Sequence, residues 1–244
     1  MRITSATHQG SRNHQEDRFV VQEDSAGGGF FAVMDGHSGD FVSGFIARNI
    51  LEIFSKEMTQ LKNPEQAILA TFAELNSRTR NVGAGSTLSL VLIPPEEDRV
   101  YIGILGDSPV ILRHGGKTWV SPEHNARNNE SERKAAEARG AVYSNGYLYD
   151  GSGECGLQLS RAFGDAALGN ILNREPEIFE MALAEGDVIV LATDGVVDPA
   201  HQDSSAMAKH VLALAEKHGD AEYLVHDALD RQTRDNVTAI VCRI

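Results

Sequence analysis

The sequence predicts an α+β protein built on antiparallel sheets. Two observations lead to that class. Strand-like segments arrive in runs, and so do helix-like segments, which is not the alternation of a parallel βαβ sheet. In addition, the apolar segments Phe30–Met34 and Val188–Thr193 are too short for helices and read as buried strands. Each ends abruptly in Asp-Gly, at Asp35-Gly36 and Asp194-Gly195. The glycines mark changes of direction, so each strand delivers an acid at the exit of a rigid element, where a site can be held firmly.

The elements follow in order. Ile3 to His8 alternates loosely as a first strand, the stretch from Gly10 to Arg18 is a polar loop, and Phe19-Val20-Val21 begins a second strand. After the Phe30–Met34 strand, Phe41 to Met58 has helical spacing, with Phe41, Phe45, Ile46, Ile50, Ile53 and Phe54 on one side. Asn63 caps a second helix that Pro64 opens, with Ala67, Ile68, Thr71, Phe72 and Leu75 as its apolar set. Three strands follow, at Ser86–Ile93, Val100–Leu105 and Pro109–Leu112, and His114-Gly115-Gly116 is a hairpin turn. Residues 121–156 are polar and rich in Gly and Asn, with one short charged helix around Ser131–Arg139. They read as a surface flap inserted into a single domain spanning 1–244, with too few apolar residues for a core of their own. Leu157, Leu159 and Ala162 alternate before Phe163-Gly164-Asp165. Strands at Ile178–Leu183 and Val188–Thr193, helices at Ser204–Lys217 and Ala221–Gln232, and a closing strand at Asn236–Arg243 complete the chain.

Hydrophobic residues make up 41% of the 244 and charged residues 23%, ordinary for a globular protein. The formal net charge of −13 argues against nucleic acid or an anionic membrane as the main partner. Two cysteines, Cys155 and Cys242, make neither a disulfide framework nor a zinc set. The N-terminal residues run straight into strand-like sequence, with no secretory or transmembrane segment, so a cytoplasmic protein is expected.

Acids at strand ends beside glycine or a turn are Asp17, Asp35, Asp107, Asp194 and Asp235, and Asp198 follows one turn after Asp194. Singly, each reads as a turn or cap residue. Together, an oxygen-only set suits hard ions such as Mg²⁺ or Mn²⁺, because converging carboxylates without a cation repel one another and resist ionisation.

Six motifs appear in one order: Arg12-x-x-x-Glu16-Asp17, Asp35-Gly36-His37-x-Gly39, Gly106-Asp107-Ser108, Leu159-Ser160-Arg161-Ala162-Phe163-Gly164-Asp165, Ala192-Thr193-Asp194-Gly195-x-x-Asp198 and Arg234-Asp235-Asn236-Val237-Thr238. The chain resembles the metal-dependent protein phosphatases of the protein phosphatase 2C family over about Gly10 to Val241. The resemblance implies two antiparallel sheets packed face to face with helix pairs outside. It also implies removal of phosphate from phosphoserine and phosphothreonine in proteins, the targets of serine/threonine kinases, by a water bridging two Mg²⁺ or Mn²⁺ ions.

Carried over residue by residue, Asp35 resembles the carboxylate that bridges both metals. The Gly36 carbonyl resembles a ligand of the second, and Asp194 and Asp235 resemble ligands of the first. Glu16 and Asp17 match the acidic pair that binds the second metal directly or through water, and the resemblance does not divide those roles between them. Arg12 resembles the arginine that grips phosphate and His37 the general acid. Asp107 and Asp198 resemble outer acids that, with Asp194, hold a weaker third metal in some members. Two ions ~3.5–4 Å apart lower the pKa of a bridging water and clamp an in-line displacement. A histidine of ordinary pKa, ~6.5, can protonate a serine or threonine leaving oxygen near neutral pH. A planar guanidinium suits two phosphate oxygens at once. Where the family usually has an arginine after Gly-Asp-Ser, this chain has Pro109, and its flap matches the family poorly.

Two features read otherwise. Cys155 and Arg161 have the Cys-x5-Arg spacing of cysteine-dependent phosphatases, yet Leu157 and Leu159 alternate between them as in a strand, and Glu154 disfavours a thiolate. His8, His14, His114, His124, His201, His210, His218 and His226 are scattered, and the reading places them on the surface. The expected protein is a monomeric Mg²⁺/Mn²⁺-dependent serine/threonine protein phosphatase. The alternative is a catalytically silent relative that binds phosphoproteins as a regulatory module, which would not need the full set Asp35, Asp194 and Asp235.

Overall fold

Both large sheets of the protein are antiparallel, as the order of elements predicts. A computed structural model describes residues 1–95, 97–197 and 204–244. The strands are β1 Arg2–His8, β2 Arg18–Glu23, β3 Gly29–Met34, β4 Gly36–His37, β5 Gly85–Ser86, β6 Leu88–Ile93, β7 Arg99–Leu105, β8 Val110–His114, β9 Lys117–Val120, β10 Val142–Ser144, β11 Tyr147–Tyr149, β12 Gly156–Leu157, β13 Phe163–Gly164, β14 Glu177–Ala182, β15 Val188–Ala192 and β16 Val237–Arg243. The helices are α1 Phe41–Leu61, α2 Pro64–Thr79, α3 Glu130–Ala138, α4 Asp194–Val197, α5 Ser204–His218 and α6 Ala221–Asp230. One five-stranded sheet has the order β1-β16-β15-β8-β9 and the other β14-β7-β6-β3-β2.

Side-chain alternation along β3 explains the layering. Phe31 and Val33 point at the opposite sheet and pack with Val91, Ile102, Ile189, Leu191 and Ile240. Phe30, Ala32 and Met34 point outward against Ile46 and Ile50 of α1 and Ile68 and Phe72 of α2. With sheet on one face and helices on the other, β3 is buried throughout, so its sequence is a continuous apolar run rather than an alternating one. The second sheet repeats the plan, with Val190, Ala192, Ala239 and Val241 against Val211, Leu212, Leu224 and Val225 of α5 and α6. The result is four layers, helices–sheet–sheet–helices. Each fully buried Val, Leu, Ile or Phe contributes about 1.5–3 kcal/mol to holding them together.

Local signals act as expected. The Asn63 side chain accepts the Gln66 N–H at 2.9 Å, and Pro64 stands at the first position of α2. Gly115 (φ 53°) and Gly116 (φ 78°) join β8 to β9 with two consecutive positive φ values, the twist-matched hairpin turn that glycine permits. The differences lie at element ends. α1 continues past Met58 to Leu61 and closes on Lys62 in the left-handed region. β8 starts at Val110, because Pro109 has no N–H to pair. α6 stops at Asp230, since Gln232 adopts φ 64°.

Residues 121–156 form α3 and the small sheet β10-β11-β12. Their few buried apolar side chains, Ala126, Ala136, Ala141 and Leu148, complete a cluster with Leu159, Ala162, Leu168, Ile171 and Leu172. The polar segment thus shares a core with the chain that follows it. His124 is fully buried, contrary to the surface reading, and the fold places it under this segment, where its Nδ1 accepts the Gly106 N–H at 3.1 Å. His201 lies outside the described residues. Among the described residues no helix is long and apolar enough to cross a membrane.

Candidate metal centre

Antiparallel pairing brings the acids to one end of the sandwich. β3 and β7 are both antiparallel to β6, so their C-terminal ends, which lead into Asp35 and Asp107, lie on the same side. The start of β2, preceded by Asp17, pairs with the end of β3. In the other sheet, the end of β15, leading into Asp194, faces the start of β16, preceded by Asp235. Acids remote in sequence thus meet because strands alternate in direction.

Asp35 is held by its backbone. Its N–H donates to Thr87 Oγ1 at 3.0 Å, and its carbonyl accepts the Thr87 N–H at 2.9 Å. Gly36 follows in a crowded place, where a Cβ would stand 2.4 Å from the Glu16 carbonyl oxygen and 2.7 Å from Ser43 Oγ. Only glycine lets β4 pass this close to the Glu16 backbone.

The loop before β2 is pinned by one buried side chain. Asn236 donates through Nδ2 to the carbonyls of Gln9 (2.8 Å) and His14 (2.9 Å), and its Oδ1 accepts the Glu16 N–H at 2.8 Å. This fixes the segment that carries Arg12, whose Nη2 lies 2.7 Å from Asp235 Oδ2 and whose Nε donates to the Arg234 carbonyl at 2.9 Å. Asp17 is only 3% exposed, and its Oδ2 accepts from Thr238 Oγ1 (2.7 Å) and Thr193 Oγ1 (2.9 Å). Burial pushes its carboxyl up to about 7, against the lowering effect of those two hydroxyls.

An open cavity of about 250 Å³ is lined by Arg12, Asp35, Gly36, His37, Asp107, Asp194 and Asp235 from the sequence-predicted set. Glu16 and Asp17 stand outside this lining, Asp17 behind it, and Asp198 lies outside the described residues. Burial, and then the charges of Asp194, Asp17, Asp235 and Asp107, hold the Asp35 carboxyl well above the ordinary carboxylate range. Burial, followed by Asp194, pushes Asp107 up to about 8, while a hydrogen bond from Asn125 Nδ2 (2.8 Å) pulls the other way. Oxygen-only donors that repel one another in a poorly hydrated place match a hard divalent cation, which would offset both causes.

His37 also lines the cavity, with its Nε2 2.8 and 2.9 Å from the two carboxylate oxygens of Asp165. Asp165 and Asn236 belong to motifs visible in the sequence, but their spatial roles were not legible there. Thr87, Asn125, Tyr147, Leu157, Gln158 and Leu159 complete the wall. Apart from Leu159, which falls within a quoted motif, they carry no sequence signal of their own.

Among the described residues, one set of three possible ligands has all its donor atoms within 4.8 Å: His124, Glu132 and Glu177. A cation already occupies this place. Arg161 bonds Glu132 through Nε (3.1 Å) and Nη2, and reaches Glu177 through Nη2 at 3.0 Å. The cluster is an internal ion-pair network, and the cavity carboxylates are spread more widely than one ion would draw them.

Comparison with known proteins gives a consistent picture. A sequence profile described as Protein phosphatase 2C matches residues 1–237. "Probable protein phosphatase 2C 9" of Arabidopsis thaliana is 30% identical over 224 residues, covering 88% of this chain and 77% of that one. "Probable protein phosphatase 2C 59" of Oryza sativa subsp. japonica is 29% identical over 98% of this chain and 74% of its own. Among solved structures, a sex-determining protein of C. elegans superposes with a TM-score of 0.80 at 24% identity, over 98% of this chain and 64% of that one. The serine-threonine phosphatase 2C of Toxoplasma gondii gives 0.75 at 22%, over 98% and 93%. The catalytic domain of the serine threonine protein phosphatase PstP, solved with two manganese ions, gives 0.60 at 21%, over 98% and 96%. At these identities the structures speak for the fold.

Proposed function

Because this chain belongs to the protein phosphatase 2C family, we propose that it hydrolyses phosphoserine and phosphothreonine in proteins, as a monomer, with Mg²⁺ or Mn²⁺ held at the end of the sandwich. The observation that carries this is the gathering of Asp35, Asp107, Asp194 and Asp235 around one cavity, with Arg12 and His37 on its wall.

Asp35, Asp194, Asp235 and the Gly36 carbonyl are the proposed inner ligands, with Asp17 and Glu16 behind them and Asp107 toward an outer site. When bound, two divalent ions supply a water of lowered pKa and neutralise charge on the phosphoryl group. The protein's own residues do the remainder. Asp17, fixed by two hydroxyls, adds negative charge behind Asp35. Arg12, already beside Asp235, offers a planar pair of donors to phosphate oxygens at the cavity mouth. His37 gives a proton to the departing serine or threonine oxygen, which is a poor leaving group as an alkoxide. The acidic surroundings and the net charge of −13 disfavour polyanionic nucleic acid and leave a phosphoprotein as the substrate.

The test is turnover of p-nitrophenyl phosphate and of a phosphoserine peptide. Activity that appears with Mn²⁺ or Mg²⁺ and vanishes on chelation is expected. Undiminished activity in excess chelator, with metal removal confirmed, sinks the metal-dependent reading. Metal binding without turnover on either substrate returns the chain to the silent phosphoprotein-binding module.

A further inference from the structure

We infer that Asp165 is the positioning residue of His37, and that Gly85 is the position whose missing side chain lets the two meet. The proposal deepens the reading of the cavity as a phosphatase site and rests on it.

The pair is built rather than incidental. His37 and Asp165 are 128 residues apart in sequence, and the three-stranded sheet β13-β5-β4 brings them together. Gly85 sits on its central strand and pairs on one side with His37 and on the other with Gly164. A Cβ at Gly85 would lie 2.1 Å from Asp165 Oδ2 and 2.2 Å from His37 Nε2. Any side chain there would fall in the space where carboxylate and imidazole touch. Asp165 itself takes a left-handed backbone conformation (φ 49°), unfavourable for a residue with a Cβ. It is held there by its N–H donating to the Ala84 carbonyl at 3.0 Å and its carbonyl accepting the Leu168 N–H at 2.9 Å. Strain of this kind persists where the surroundings impose it, and such positions gather at functional sites.

The geometry divides the labour between the two ring nitrogens. Nε2 faces both oxygens of a carboxylate whose side chain is only 8% exposed, so it is the protonated nitrogen that donates. Nδ1 is then the nitrogen that His37 presents to the cavity, and as a general acid the ring acts from its doubly protonated form, giving up the Nδ1 proton to the leaving oxygen and keeping the Nε2 proton directed at Asp165. Asp165 does not line the cavity, so it acts through His37 and touches no substrate. Without it the ring is free to turn about its last torsion and to change tautomer, and a proton donor must lie within hydrogen-bond reach of the oxygen it protonates.

The experiment is a double-mutant cycle of His37→Ala and Asp165→Ala in the Mn²⁺-supplemented protein, read on a phosphoserine peptide and on p-nitrophenyl phosphate. Asp165→Ala is expected to lower kcat on the peptide at least about 10-fold, within the roughly 10²–10⁴-fold span of a general acid. It should lower kcat on p-nitrophenyl phosphate, whose leaving group needs no proton, several times less. The double variant is expected to be within about twofold of His37→Ala alone. Losses that multiply, or that are equal on the two substrates for Asp165→Ala, overturn the proposal. Where Asp165→Ala does not fold, the nearly isosteric Asp165→Asn takes its place in the cycle, with the same two criteria.

If the wild-type protein turns over neither substrate, it is the phosphatase reading that has failed, and the pair is still readable by NMR of the Mg²⁺-loaded protein. A hydrogen-bonded proton on His37 Nε2 is expected there and should be lost in Gly85→Ala, and a proton carried on Nδ1 instead overturns the assignment.

Discussion

Thr87 grips the peptide of Asp35 from both sides, its Oγ1 accepting the Asp35 N–H at 3.0 Å and its own N–H donating to the Asp35 carbonyl at 2.9 Å. The same hydroxyl meets Ser108 Oγ at 2.7 Å, linking the turn after β7 to the exit of β3. Partners that orient metal ligands matter nearly as much as the ligands. Thr87→Val keeps the shape but removes the acceptor, and a loss of about 10–100-fold in Mn²⁺ affinity is expected, measured by calorimetric titration. Thr87→Ser should bind like wild type. An unchanged affinity in the valine variant would show that the backbone bond alone aims Asp35.

The raised carboxyls set the pH dependence of the metal-free protein. Asp17 is pushed up to about 7 and Asp107 up to about 8, and Asp35 is raised as well, against an ordinary unfolded value of about 3.9. The folded state therefore binds more protons, and its advantage is complete below about pH 4 and lost as pH rises through 7 and 8. In chelator, the melting temperature should fall between pH 5.5 and 8. With Mn²⁺ the order should reverse, because ions bind the ionised ligands of the folded state. A melting temperature in chelator that climbs over that interval would contradict the raised values.

Asp107 is proposed for an outer site, and Asn125 steadies its Oδ2 at 2.8 Å. Asp107→Asn removes one repelling charge while nearly preserving size. It should leave the metal-free protein more stable than wild type at pH 8, retain binding of two ions, and lower turnover on phosphoserine peptide. Wild-type turnover in this variant would make Asp107 a turn residue and nothing more.

Cys155 is exposed, whereas the Arg161 guanidinium is committed to Glu132 and Glu177. Cys155→Ser should keep most of the activity and its sensitivity to chelator. Arg161→Ala leaves Glu132, with a side chain 10% exposed, without its cation, and breaking such a buried pair costs about 3–5 kcal/mol. Thermal melts should show that loss. If Cys155→Ser is dead and Arg161→Ala melts normally, the arginine serves the cysteine and the Cys-x5-Arg reading returns.

Strand ends and acids were legible in the sequence for a common reason. β3 and β15 are buried on both faces, so their sequences are unbroken apolar runs, and the switch to Asp-Gly marks where each run reaches the edge of the core. Asp35, Asp107, Asp194 and Asp235 then come together through strand direction. Side chains that act across the fold left no such trace. Asn236 pins Gln9, His14 and Glu16 from more than two hundred positions away, and Asp165 reaches His37 only through Gly85. His124 reads as a polar-flanked surface residue because its neighbours are polar, yet burial brings its pKa down to about 4 under a segment whose fold depends on later residues.

The order of the first sheet has a consequence for how the chain is made. β16, from Val237 to Arg243, lies between β1 and β15 and pairs with β1 from Arg2↔Arg243 to His8↔Val237. A ribosome delivers β1 first and β16 last, so a growing chain holds two facing strand edges with the strand between them still unmade. Asp235 emerges only just ahead of that strand. The sheet is not complete until translation passes residue 243. Early termination therefore yields a chain with open edges, prone to pair with its neighbours.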